Sequence, residues 1–191
     1  SEFNVDSNGV ILNNSSSNSN TQLAGQINGN ANMASGSAKV ILNEVRSSDP
    51  SQLNGMIEVA GQSAQVIIAN PSGITCDGCG FINTNHATLT TGTATYDNQG
   101  NVTGLDVSKG QVSITGKGMD TRSTQYTDII ARSVKVNAKL QANELNIITG
   151  NNRIDKNGRV QKKYDDSTSP EVALDVSALG SMYANKIYME G

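Results

Sequence analysis

Three sets of residues in this 191-residue chain have the types and spacing that chemistry uses. Cys76 and Cys79 form a Cys-x-x-Cys pair, the spacing of a redox centre, of half a zinc site, or of a disulfide closing one turn. Zinc needs four ligands, and the single histidine, His86, is the only further candidate of that kind. A redox dithiol wants its first thiol at a helix N-terminus inside a βαβ unit, whereas the flanks here are Gly-rich and strand-like. That leaves a small disulfide clip or a reduced pair stiffening the turn, and an i, i+3 pair can reach the Cα separation a disulfide requires. His86 itself reads as a surface or half-buried histidine, with no second ligand near it in sequence. Asp120, Arg122, Asp128 and Arg132 resemble acid–base equipment, but among Thr, Ser and Tyr neighbours they read more simply as a solvated face.

The densest turn signal lies just before the cysteines, at Asn70-Pro71-Ser72-Gly73-Ile74. Pro71 fixes its own φ and pushes Asn70 toward the extended region, while Gly73 and Gly78 permit positive φ. The segment therefore reads as strand, sharp corner, strand, between Val66-Ile67-Ile68-Ala69 and Ala87-Thr88-Leu89-Thr90. No nucleophile–base pair or phosphate cradle lies in it. Such a corner suits recognition by a partner protein, or simply the shaping of the fold.

The elements that must position these residues follow from composition and repeats. At this length the chain fits one domain, residues 1–191. Aromatic residues make up only 4%, Trp is absent and charged residues are 16%, so the core must be built from Val, Ile, Leu and Ala. A net charge of -3 gives no footprint for nucleic acid. Short aliphatic runs alternate with polar residues at period two, and turn residues follow closely, which predicts many short strands and no amphipathic helix. A pattern Ala-x-x-φ-x-φ, φ being aliphatic, recurs at Ala131–Val136, Ala142–Ile147 and Ala184–Met189, offset by 11 and then 42 residues. These spacings fit a solenoid of about 20 residues per turn, in which stacked rungs bury what a single rung cannot. Nine or so rungs at ~4.8 Å would give a rod on the order of 40 Å long.

Three stretches interrupt the pattern. Ser15–Asn20 reads as an exposed loop. Tyr96–Leu105, with Asp97-Asn98-Gln99-Gly100 at its tip, and 151–169, with Asp155-Lys156-Asn157-Gly158, read as antiparallel hairpins leaving the rod. The chain starts and stops in strand-like sequence, so a fragment truncated at both ends is expected, with Tyr183 and Tyr188 near its end packing on the core or on further rungs.

Four blocks occur in order: Val10–Ser15, Gln22–Gln26, Val40–Val45 and Gln65–Ile74. In this the chain resembles the N-terminal secretion domain of two-partner secretion exoproteins, the filamentous-haemagglutinin-like adhesins, haemolysins and contact-dependent growth inhibition toxins of Gram-negative bacteria. The likeness covers nearly the whole chain and is densest over residues 10–92. The Cys76-Asp77-Gly78-Cys79 insert is similar to the haemolysin and contact-inhibition branch. The family's Asn-Pro-Asn-Leu signature stands here as Asn30-Ala31-Asn32-Met33, without its proline, and Asn-Pro-Asn-Gly-Ile stands as Asn70-Pro71-Ser72-Gly73-Ile74.

The resemblance implies an all-β, right-handed parallel β-helix with an N-terminal cap and short extra-helical antiparallel strands. It implies no enzyme, cofactor or metal. The domain would be recognised in the periplasm by an outer-membrane β-barrel transporter with periplasmic domains, and would nucleate the downstream β-helix of the same polypeptide. The product would be secreted or held at the cell surface, where the full-length protein meets host or neighbouring cells. Asn30, Asn32, Met33 and Asn70–Ile74 are the residues the resemblance links to recognition. An oxidising route of export favours the Cys76–Cys79 disulfide. Two other classes stay open on sequence: an adhesive module binding host glycans or proteins, and a carbohydrate-active β-helix using the Asp/Arg cluster.

Overall fold

The computed structural model describes residues 2–33, 36–164, 174–176 and 182–191. The chain winds as a parallel β-helix, each coil visiting three sheets in the same order. The first sheet stacks Val10–Asn14, Met56–Gly61, Cys79–Ile82, Met119–Asp120, Leu140–Gln141 and Met182–Tyr183. The second stacks Val40–Glu44, Ala64–Ala69, Thr84–Thr90, Tyr126–Ala131, Glu144–Thr149 and Lys186–Glu190, one strand for each of coils one to six. The third stacks Ser51–Leu53, Ile74–Cys76, Gln111–Ile114, Ser133–Val136 and Leu174–Val176.

Period-two alternation is what fills the interior. In the second sheet Val66, Ala87, Thr127 and Leu145 align in one inward column, and Ile68, Leu89, Ile129 and Ile147 in the next. All eight are buried. Ile74, Val112 and Val134 form a matching column in the third sheet, and Cys79, Met119 and Leu140 in the first. Only small or aliphatic side chains fit columns whose members repeat at about 4.8 Å, hence the lack of aromatics. Phe81, fully buried beside Ile57, is the exception in the first sheet.

The Ala142 and Ala184 repeats do stack as successive coils, with Leu145 opposite Ile187 and Ile147 opposite Met189. The Ala131 copy does not: its strand, Ser133–Val136, belongs to the third sheet of coil four, so the 11-residue offset leads from there to the second sheet of coil five and is less than a full turn. True coils run from Val66 to Ala87, 21 residues, and from Thr127 to Leu145, 18 residues. The described residues form six coils, not nine, because three stretches leave the rod.

Two of these are the expected hairpins, Thr93–Tyr96 with Val102–Val107 and Asn152–Asp155 with Val160–Lys163. They join through Gly104–Val107 and Asn152–Asp155 into one four-stranded antiparallel sheet. That sheet lies over the outer face of the second sheet, where Leu105, Val107 and Ile154 bury themselves against Ile130 and Ile148. Part of the 151–169 excursion, residues 165–169, lies outside the described residues. The third stretch corrects an expectation. Ser19 and Asn20 are not loop but strand, since Ser19–Thr21 pairs with Gly25–Ile27. The buried Glu58 carboxylate fixes that hairpin by accepting the backbone N–H groups of Gln22 (2.8 Å) and Leu23 (2.9 Å). The N-terminal end is closed by Phe3, packed on the core, and by buried Val5, bridged to Leu53.

Truncating an inward column in mid-stack should leave a void its neighbours cannot fill. Ile147→Ala is expected to lower unfolding stability by about 2–5 kcal/mol, read by denaturant titration with an unchanged m-value.

Candidate recognition corner

Asn70 stands where coil two turns from the second sheet into the third, and its side chain is fully buried. Its Nδ2 donates to the Asp49 carbonyl (2.8 Å) and to Ser51 Oγ (3.0 Å), both in coil one. Its Oδ1 accepts the Ser72 N–H at 3.0 Å. The Asn70 N–H donates to the Thr90 carbonyl of coil three (2.9 Å), and the Asn70 carbonyl accepts the Gly73 N–H (3.0 Å). One residue thus ties three successive coils at a corner. Gly73 has φ +120°, which any side chain would strain, and its carbonyl accepts the Ser51 N–H at 3.0 Å. Ile74 returns to the core, while Pro71 and Ser72 are half-buried and reach the surface.

The first signature repeats this construction without its proline. Asn30 Oδ1 accepts the Asn32 N–H (3.0 Å) and the Asn30 carbonyl accepts the Met33 N–H (3.0 Å), so Ala31–Met33 forms a single 3₁₀ turn. Asn30 Nδ2 reaches back to the Asn13 carbonyl at 3.3 Å. Here the turn is open: Ala31 and Asn32 are exposed, and Asn30 and Met33 half-buried. The two signatures occupy different corners, Asn30 between the first and second sheets of coil one and Asn70 beyond the second sheet of coil two.

The coil also assembles residues around Pro71 that no local motif announces. A surface hollow of about 280 Å³ is lined by Glu44, Arg46, Pro71, Thr93 and Tyr96. Glu44 bonds the Arg46 guanidinium (2.7 Å) and accepts the Ala94 N–H (3.1 Å) and the Tyr96 hydroxyl (3.4 Å). The Glu44 carboxylate raises the pKa of Arg46 above its ordinary value, first through this side-chain hydrogen bond.

Cys76 and Cys79 are joined in a disulfide with Cα atoms 5.4 Å apart, both buried at the corner between the third sheet and the first. The charged cluster is split. Arg122 Nε and Nη2 grip the two oxygens of Asp120 at 2.9 and 2.7 Å, and this hydrogen-bonded guanidinium holds the Asp120 carboxyl below the usual carboxylate range. Asp128 instead sits on the outer face of the second sheet, accepting from Thr88 (3.1 Å) and Asn146 (3.3 Å) and lying 2.5 Å from His86 Nε2. This pair lines a cavity of about 300 Å³ under the four-stranded sheet, with Leu42, Ile67 and Leu105. Buried Arg132 lies after the last residue of its strand, at the corner, where its N–H donates to Thr91 Oγ1 (3.2 Å). Among the described residues no cluster of His, Cys, Asp and Glu has the arrangement to hold a metal ion.

The Asn70 amide is engaged wholly within the coil, so what this corner turns to the surface is Pro71 and Ser72. The sequence profile of the TPS secretion domain matches residues 1–191, and the chain belongs to that family. It is 57% identical over its full length to a Toxin CdiA of Yersinia pestis and 48% identical over 97% of its length to a tRNA nuclease CdiA of Yersinia mollaretii. It is 43% identical over 98% of its length to the tRNA nuclease CdiA-2 of Burkholderia pseudomallei. The chain spans about 6% of the length of each of these relatives. Its fold matches the crystal structure of the filamentous hemagglutinin secretion domain with a TM-score of 0.89 and 33% identity, over 98% of this chain and 66% of that one. The secretion-domain membership expected from the ordered blocks is thereby shown, and so is the β-helix.

Removing the Asn70 amide strands the buried Ser51 hydroxyl, leaves the Asp49 carbonyl without its donor and frees the Ser72 N–H. Asn70→Ala should cost about 3 kcal/mol, whereas exposed Asn32→Ala should change stability by less than about 0.5 kcal/mol, both measured by denaturant titration. The disulfide closes so short a loop that chain entropy gives it about 2 kcal/mol, so adding a reductant should lower stability by roughly that amount.

Proposed function

We propose that this domain is the address and the folding seed of a large contact-dependent growth inhibition toxin. A dedicated outer-membrane β-barrel transporter engages it in the periplasm, and the polypeptide then reaches the cell exterior. The observation that carries this reading is the family match over residues 1–191 together with 57% identity to a CdiA toxin across the whole chain. Two features support it. Pro71, in the accessible part of the second signature, borders the Glu44–Arg46–Tyr96 hollow, which offers a partner both charge and an exposed aromatic ring. Along the stack, the inward columns run unbroken from coil two to coil five, through Val66, Ala87, Thr127 and Leu145 and through Ile68, Leu89, Ile129 and Ile147. A coil already laid down templates the one that follows it, and each coil added buries apolar surface worth about 25 cal/mol per Å².

Within this reading Asn70, Gly73 and Ile74 build the corner and Pro71 and Ser72 present it. Asn30, Asn32 and Met33 present the first signature. The nuclease activity named for the relatives belongs to those proteins; this domain supplies the route out.

The test separates folding from recognition. In a leader-bearing toxin co-expressed with its transporter, Arg46→Glu and Tyr96→Ala should cut export about tenfold or more while the purified variants unfold at the wild-type denaturant midpoint. Wild-type export by both variants would overturn the assignment of this hollow to the transporter.

A further inference from the structure

In a parallel β-helix each coil is held by its neighbours alone, so it can fray one coil at a time from an open end. The four-stranded sheet breaks that rule. Its first hairpin leaves the chain after the Thr84–Thr90 strand of coil three and its second after the Glu144–Thr149 strand of coil five. They meet through Gly104–Val107 and Asn152–Asp155, with Leu105 opposite Ile154. On the outside of that seam Arg153 Nε and Nη2 bond the two oxygens of Asp106 at 2.9 and 3.1 Å. On the inside Leu105 and Ile154 are buried against Ile130 of coil four and Ile148 of coil five, with Leu42 of coil one packed against the same cluster. Glu44, also of coil one, holds the far strand through the Ala94 N–H. The sheet thus grips coils one to five together.

We propose that this sheet is a kinetic latch. It closes after coil five has been laid down, because half of the seam and its Ile148 seat do not exist before then. Once it is closed, coils one to five cannot unwind from the open end until the seam parts. Interactions absent from the folding transition state slow unfolding without changing the folding rate, and a seam made last is such an interaction. Given the export reading above, the latch would keep folded coils from slipping back toward the periplasm. The latch itself is tested without a transporter, so its failure would leave the export reading standing.

Gly104→Val is the direct test on the 191-residue chain. A Cβ at Gly104 would lie 2.1 Å from the Ile154 carbonyl oxygen, so the seam must part while the coil interior is untouched. Stopped-flow denaturant jumps should show unfolding about tenfold faster or more, with refolding within about twofold of wild type. An unchanged unfolding rate, or refolding slowed as much as unfolding is accelerated, would overturn the latch. Hydrogen exchange on the unmodified chain gives an answer even if that variant does not fold. Amides of Tyr126–Ala131 and Glu144–Thr149 should exchange together and far more slowly than those of Lys186–Glu190. Exchange of Glu144–Thr149 as fast as Lys186–Glu190 would contradict the proposal.

Discussion

Everything in this molecule hangs on the vertical alignment of like side chains from one coil to the next. Ile68, Leu89, Ile129 and Ile147 sit one above another, and the polar residues between them point outward for the same reason. A shift of one residue in any coil would turn that coil inside out. The chain therefore needs corners that fix where each strand begins. The buried amide of Asn70 meets that need by bonding coils one and three from its place in coil two. Asn143 serves another corner, donating to the carbonyls of Arg122 (2.6 Å) and Thr124 (2.9 Å) in the coil before it. Asparagine suits this work because its amide mimics a peptide group and can donate and accept at one point.

This changes the meaning of the second signature. Burial of Asn70 means that no partner touches its side chain in the folded domain. In the export role proposed for the domain, Asn70 acts through the shape it imposes on Pro71 and Ser72 and through the register of the coils around it. The first signature is built with the same two turn hydrogen bonds but lies open, so its Asn32 faces solvent. Loss of the proline at position 31 leaves that turn intact, since Asn30 Oδ1 and the Asn30 carbonyl set it without help.

Much of the fold was legible because period-two alternation is local. Ala64–Ala69 and Glu144–Thr149 announce an inward and an outward face on their own. The hairpin tips were equally plain, since Asp97 and Asp155 each accept a backbone N–H two residues on, and Gly100 and Gly158 supply the positive φ. Coil count was not legible: strands of the second and third sheets share one pattern, so Ser133–Val136 passes for a coil of its own. Nor were His86–Asp128 and Glu44–Ala94, which lie 42 and 50 residues apart in the chain. Inserts of unequal length decide which residues face each other across coils, and no local signal records the register. Depth was hidden too, for turn chemistry at Asn70 looks the same whether the amide faces water or the core.

The central claim is that this coil alone carries the address for export. Its most direct measurement is a transplant, with residues 1–191 behind a leader, joined to an unrelated passenger and expressed with and without the matching transporter. The account predicts passenger in the medium only when the transporter is present, and none when the domain is replaced by an unrelated β-helix of similar length. Passenger released without the transporter, or equally well behind the unrelated β-helix, would contradict it.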